Sequence, residues 1–331
     1  MSKRTKTGFL AIFLTLAISF SAFAQVDLRN LQRSASNFSS TIADSLPLNA
    51  SLGLNWSDAY IGRFFPSIPP RFGVGVSAGF TSMELGDMNR LARNLGFGGI
   101  PNMDRMPFPG YTVEARIGGF FLPFDVGIKF GSLPSLGFDN FELEYFLIGG
   151  DIRYAILDRA FLPRISVAVG FNYMRGSIGA RVGQQQEFNF QHAGTDRSII
   201  LERPNVNLNW STRTLDFRLH VSQPLFIITP YIGLGVSHAW SRAGYEVRAN
   251  VNYGTNPDDL QFIGAFLREH GLEGMSVRSN GISSDIYNNS WGVRAFGGIS
   301  LNLTVFRLDF TGLYSFLDGN YGASLGFRFQ L

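Results

Sequence analysis

Along most of this chain large apolar residues recur at every second position. The clearest run is the last, where Tyr321, Ala323, Leu325, Phe327, Phe329 and Leu331 alternate with Gly322, Ser324, Gly326, Arg328 and Gln330. Successive side chains of a strand point to opposite faces, so this segment has one apolar face and one small or polar face. Phe306, Leu308, Phe310, Tyr314 and Phe316 alternate in the same way with Arg307, Asp309, Thr311 and Ser315. Trp291, Val293, Ala295, Ile299 and Leu301 do so with Arg294, Ser300 and Asn302. Towards the other end, Phe72, Val74, Val76, Ala78 and Phe80 oppose Gly73, Gly75, Ser77 and Gly79. Tyr111 to Gly119, Phe124 to Phe130, Ile148 to Ile156, Ile165 to Tyr173, Leu215 to Val221 and Ile228 to Trp240 repeat the pattern. Leu48 to Tyr60 alternates more weakly, with Asp58 on its apolar side.

The second face of these strands decides between two all-β architectures. A soluble sandwich shows water a face rich in Lys, Glu and Thr, whereas here that face holds mostly Gly, Ser, Ala, Asn and paired charges. Such a face is enclosed, and the apolar face is the outer one. Trp56, Tyr60, Tyr111, Tyr173, Trp240, Trp291 and Tyr321 fall at strand ends, as aromatic girdles at two membrane interfaces require. Beyond residue 24 no apolar run reaches the roughly 18 residues of a spanning helix, which leaves the closed barrel as the way to cross a bilayer. The expected fold is therefore an all-β, transmembrane antiparallel β-barrel of about 10–12 strands. Eleven strands can be read. Since single-chain bacterial barrels have even numbers, either Leu48 to Tyr60 lies inside or below a ten-stranded barrel, or a further strand makes twelve, the preferred count.

Composition and the N-terminus place this barrel. Lys3, Arg4 and Lys6 precede an apolar run from Gly8 to Phe20 and a small-x-small site at Ala22 and Ala24, the order of a signal peptide cleaved before Gln25. Taking those three from the 28 basic residues leaves 25 against 25 acidic ones, so nothing favours nucleic acid. The chain has no cysteine, which removes disulfides, thiolate chemistry, cysteine metal sites and lipid attachment at a mature N-terminal Cys. Short connections at 121–124, 157–163, 222–224 and 302–304 fall on one side, and long ones at 82–108, 182–204 and 250–288 on the other, extracellular side. Two of the long segments carry helix patterns. Asn256 to Gly271 has a capping start and an apolar stripe of Leu260, Ile263, Phe266 and Leu267, and Met88, Leu91, Ala92 and Leu95 form a weaker one. These stripes cover the barrel mouth or line a groove for a hydrophobic ligand.

The tail from Tyr321 through Leu325, Phe327 and Phe329 to Leu331 resembles the C-terminal strand by which Gram-negative outer-membrane barrels are recognised, although it ends in Leu331 where an aromatic residue is usual. The resemblance implies a periplasmic C-terminus, an outer-membrane location, and lipid and the barrel-assembly machinery as partners. The helical loops make the layout similar to long-chain fatty-acid transporter barrels, with residues 25–47 as a hatch in the lumen and Val26, Leu28 and Leu31 on one helical face. The Asn-Pro-Ala motif of that family is absent near the N-terminus, and no binding residue carries over.

The inward faces repeat one motif: Glu114 with Arg116, Asp151 with Arg153, Asp216 with Arg218, and Arg307 with Asp309. Members of each pair are two residues apart and share a face. Asp125 with Lys129 is a looser version, and Arg294 and Arg328 add positives without partners. Seven bases then oppose five acids, a bias towards anions if the lumen is open. The alternative is that the charges pair and close the pore, because an unpaired buried charge is so costly. Catalysis finds little support. His220 and Ser222 share an inward face beside a periplasmic turn, His238 faces outward near Trp240, and His192 and His270 lie isolated in loops, so neither a nucleophilic site nor a metal site is expected, nor a cofactor. Inward glycines at 73, 75, 233 and 235 make room for either a channel or an inserted plug.

The expected role is passage of small solutes or hydrophobic compounds of unknown identity, on the associational ground that this is the commoner task of such barrels. A non-conducting barrel that displays loops for adhesion or envelope structure is the alternative. The mature chain is expected to begin at Gln25 and to run as a heat-modifiable band from detergent-extracted outer membranes. N-terminal sequencing and electrophoresis with and without boiling check this, and recovery from a detergent-free periplasmic fraction would exclude it.

Overall fold

Alternation at period two builds twelve strands among the described residues. The computed structural model describes residues 28–62, 71–84, 86, 104–119, 123–138, 141–159, 161–181, 186–192, 195–252, 276–278 and 281–331. A helix, α1 (Leu28–Ala50), comes first. The strands are β1 (Arg71–Glu84), β2 (Arg105–Gly118), β3 (Phe124–Phe138), β4 (Phe141–Leu157), β5 (Arg164–Arg181), β6 (Gln186–His192), β7 (Thr195–Ser222), β8 (Ile228–Asn252), β9 (Ser276–Arg278), β10 (Gly281–Leu303), β11 (Phe306–Ser315) and β12 (Tyr321–Gln330). Ten of them close a ring of antiparallel neighbours, with β12 pairing β1 from Gly73↔Gln330 to Thr81↔Gly322. The two short strands lie off the ring, β6 on β7 and β9 on β10. The wall is thus ten-stranded and not twelve. The proposed helices at Asn256 to Gly271 and Met88 to Leu95, and the signal peptide, lie outside the described residues.

Within the ring of ten, closure leaves no edge strand, the condition for crossing hydrocarbon. Outside the ring stands the apolar set: Ile128, Ile152, Ile232, Leu234, Phe310 and Phe327 are each about half exposed, as only a lipid solvent permits over so wide a surface. Their strand neighbours point inward and are buried. His238 packs its ring at 4.5 Å from Trp240 and 4.7 Å from Trp291 on the outer face, one arc of the expected girdle. Among the described residues no helix is long and apolar enough to cross a membrane.

Leu48 to Tyr60 is not a strand. Leu48 to Ala50 finish α1, Ser51 and Leu52 close its last turn on the carbonyls of Leu48 and Asn49, and Gly53 and Leu54 take left-handed backbone at φ 79° and 57°. The chain then runs irregularly to Gly62 inside the ring. Its apparent alternation came from Leu48 and Leu52, which pack with Tyr231, Phe296 and Leu313 of the inner wall. Trp56 and Tyr60 are accordingly buried in the lumen and do not belong to a girdle.

The wall is uneven in height. Crossing takes about 9–11 residues of tilted strand. β11 and β12 have ten residues each, but β7, β8 and β10 have 28, 25 and 23 and rise well above one rim. An arginine therefore has different costs along one outward face. Ile232→Arg, near the midplane, should lose about 2–4 kcal/mol, while Tyr287→Arg on the tall part of β10 should lose about 0–1. Denaturant titration of the refolded protein in lipid measures both, and equal losses would place the belt elsewhere.

Candidate functional site

Inside the ring, charge is organised strand by strand. Arg116 on β2 stands opposite Gly127 on β3, which stands opposite Asp151 on β4. With no side chain between them, Arg116 Nη2 reaches Asp151 at 2.6 Å. A Cβ on Gly127 would lie 2.6 Å from that guanidinium nitrogen. Gly170 on β5 does the same between Asp151 and Asp216 on β7, and Arg218 reaches over to Asp151. Gly235 on β8 separates β7 from Arg294 on β10, which grips Asp216 with two bonds of 2.9 and 2.7 Å. Strands two apart are separated by about 9–10 Å, a span that an arginine can cover when the strand between carries glycine. The result is a girdle of arginine–carboxylate bridges around the inner wall.

This corrects the pairing expected from the sequence. Arg116 pairs with Asp125 at 2.5 Å and with Asp151, not with Glu114. Arg153 pairs with Asp125 at 2.7 Å, its cross-strand neighbour. Asp309 pairs with Arg328 at 2.7 Å, and Arg294 and Arg328, read as lacking partners, both have them. Only Asp216 and Arg218 keep a pair within one strand, at 3.2 Å. Spacing of two sets a shared face, but opposite strands come closer than positions along one strand.

The second half of the site is the chain's own N-terminal segment. Every residue from 48 to 62 is buried. Asp58, the anomaly in the sequence pattern, is the acid that the girdle lacks. It meets Arg328 at 3.0 Å, Arg307 at 3.1 Å and Arg164 at 3.7 Å, while Arg153 Nη1 donates to its backbone carbonyl at 2.6 Å. Trp56 lies against the guanidinium carbons of Arg328 at 4.7 Å and Arg116 at 5.6 Å, and its indole N–H donates to Glu114 at 2.6 Å. Lys129 has no carboxylate at hydrogen-bond distance among the described residues; it donates to the carbonyls of Ala50, the last residue of α1, and Leu52 just past it. Ala59 N–H donates to Ser222 Oγ, and Ile61 N–H to Asp125. His220, next to Ser222 on the inner face, packs on Tyr231 and Phe296.

Above the charged level the filling is apolar. Ile42, Ala43, Leu46 and Ala50 of α1 pack with Met83, Phe108, Tyr145, Leu147, Met174 and Trp210 of the wall. At 20–30 cal/mol per Å² of apolar surface, this sleeve contributes as a protein core does. At the top, Asn288 donates to Asp44, whose pKa is raised by burial and by the nearby Asp318 carboxylate. A carboxyl raised on folding stabilises at low pH and loses that contribution as pH rises, while the Asn288 hydrogen bond, which favours the carboxylate, acts in the opposite sense. The tail residues Tyr321, Leu325, Phe327 and Leu331 are exposed on the outer face of β12, and Phe329 packs beside Phe72 and Phe306 where β12 seals the ring.

A closed antiparallel ring with a lipid-facing exterior and a charged, filled interior is an outer-membrane β-barrel, and the outer membrane is where such a chain resides. Residues 74–331 match the model of a family of unknown function, DUF6588, and the chain belongs to that family. No curated protein matches it. Among solved structures it is similar to the translocator domain of the autotransporter NalP from Neisseria meningitidis, at 10% identity over 90% of this chain and 99% of that one, with a TM-score of 0.38. It is also similar to the outer membrane protease OmpT from Escherichia coli, at 10% identity over 83% and 100%, TM-score 0.40. A Pseudomonas aeruginosa FadL homologue matches at 7% over 79% and 89%, TM-score 0.23. Likeness at this level assigns no role to any residue.

Removing Asp58 should leave Arg328 and Arg307 short of a partner in a buried site. Asp58→Asn is expected to cost about 3–5 kcal/mol, and adding Arg328→Gln should recover part of it. A double-mutant cycle from equilibrium unfolding measures the coupling, and additive losses would mean that the two do not act together.

Proposed function

We propose that this barrel is closed at rest and acts as a surface platform of the cell envelope, presenting what its tall strands carry. The observation that supports this most is the complete burial of residues 48–62 in the lumen, fixed by ion pairs to several strands at once. An aqueous path would have to pass where Trp56 and Asp58 sit. The height of β7, β8 and β10 agrees with a role above the membrane, since far more strand is made than crossing needs. The balance thus moves from passage, expected from superfamily membership, to display.

A second reading keeps passage and makes residues 28–62 a gate. It is favoured by the apolar sleeve of Phe108, Tyr145, Leu147, Met174 and Trp210, which would receive a hydrophobic compound if Ile42 and Leu46 withdrew. The contact between Ala59 and Ser222 separates the readings. In planar bilayers the intact protein should be silent, and a chain lacking residues 28–62 should conduct. Ala59→Cys with Ser222→Cys, oxidised to tether the segment, should leave every cellular phenotype of the wild type unchanged. Loss of uptake of an apolar solute on oxidation, restored by reduction, would replace display by gated passage.

A further inference from the structure

The direction in which the N-terminal segment runs through the lumen can be read against β2, because contacts fall at successive levels of that strand. Asn49 donates to the carbonyl of Phe108, Leu52 lies against Gly110, Gly53 against Thr112, Trp56 binds Glu114, and Ile61 lies against Gly118. As the segment number rises, so does the β2 number. β2 runs from the rim with the long connections to the rim with the short turns, and the segment therefore runs the same way. Contacts at its two ends agree. Asp44 and Ser45 are bound by Asn288 on the tall part of β10 and by Asn320 in the β11–β12 connection, whereas Ala59 and Ile61 are bound by Ser222 and Asp125 beside the short turns. The chain then re-enters as β1 from that lower rim, where Arg71 pairs with Gly118.

We infer that the barrel carries its own N-terminal segment outward through the lumen and holds the start of α1 on the cell surface. In barrels of this kind the short turns are periplasmic and the long connections extracellular, so a segment descending with β2 begins outside. Ser36 and Asn37 are exposed in α1, and Ser36 lies about 12 Å of helix rise beyond Asp44, itself at the level of the upper connections. Slippage back is opposed from both ends. Trp56 is held between two arginines and Asp58 among three, while the apolar sleeve grips the last two turns of α1. This placement does not depend on whether the barrel later opens.

The absence of cysteine makes the test direct. Single Ser36→Cys and Leu331→Cys variants, each folded by the heat-modifiability criterion, are treated on intact cells with a membrane-impermeant maleimide, then again after the outer membrane is permeabilised. Ser36→Cys should label on intact cells, and Leu331→Cys should need permeabilisation, with at least a tenfold difference in rate between the two on intact cells. Asn37→Cys replaces Ser36→Cys if that variant fails to fold. Labelling of the α1 position only after permeabilisation would overturn the inference, and so would labelling of both positions from the same side.

Discussion

The inner wall of this barrel is governed by one constraint: charges enclosed in a narrow lumen must find partners there, because water is excluded and lipid offers none. The chain meets it with arginines that reach over glycines. Arg116 over Gly127 to Asp151, Arg218 over Gly170 to Asp151, and Arg294 over Gly235 to Asp216 link alternate strands and so tie the cylinder together across its seams. The dependence on a missing Cβ is strictest at Gly127, where a Cβ would lie 2.6 Å from the Arg116 guanidinium; at Gly235 it would crowd Arg294 at 3.2 Å, and at Gly170 it would only touch Arg218. The glycine content of the inward faces is thus a requirement of the charge arrangement as much as a means of making space.

Once the girdle is formed, wall acids meet only part of the positive charge on one side, Asp309 at Arg328 and Asp158 at Arg164, and something else has to supply the rest. Asp58 does, from a segment that belongs to the chain but not to the wall. Lys129 completes the arrangement from the other direction, satisfying carbonyls at the end of α1. Wall and filling are therefore one electrostatic unit at the lower level and one apolar core at the upper level. Each part leans on the other: without residues 48–62, Arg328, Arg307 and Arg164 lose the Asp58 carboxylate they share, and without the wall that segment has no regular structure to hold it.

This dependence bears on function. A permanently open pore would keep its charged groups exposed and its filling loose, whereas here Trp56 is buried in contact with two guanidinium groups and a carboxylate. Binding energy has been invested in closure at the level where a solute would pass. Above that level the wall continues as tall strands on one side only, so that the molecule is asymmetric about its axis. The short β11–β12 connection lies low, and β7, β8 and β10 stand over it.

What the sequence determined by itself was the outer surface. Alternation at period two depends only on the geometry of a single strand, and Phe327, Phe310 or Ile232 must face lipid whatever their neighbours are. The same parity set the inward placement of Glu114, Asp151 and Arg294, which are buried. Partner choice was beyond it, because register between strands decides that Arg153 meets Asp125 and that Gly127 lies in the path of Arg116. The strand number was likewise undecided by pattern alone: Leu48 and Leu52 alternate because they pack on an inner wall, and a short apolar alternation reads alike whether it forms the wall or fills it. Asp58 gave the one local signal, an acid on an apolar face. Only the closed ring, by bringing Arg328, Arg307 and Arg164 around one point, made that position the centre of the lumen.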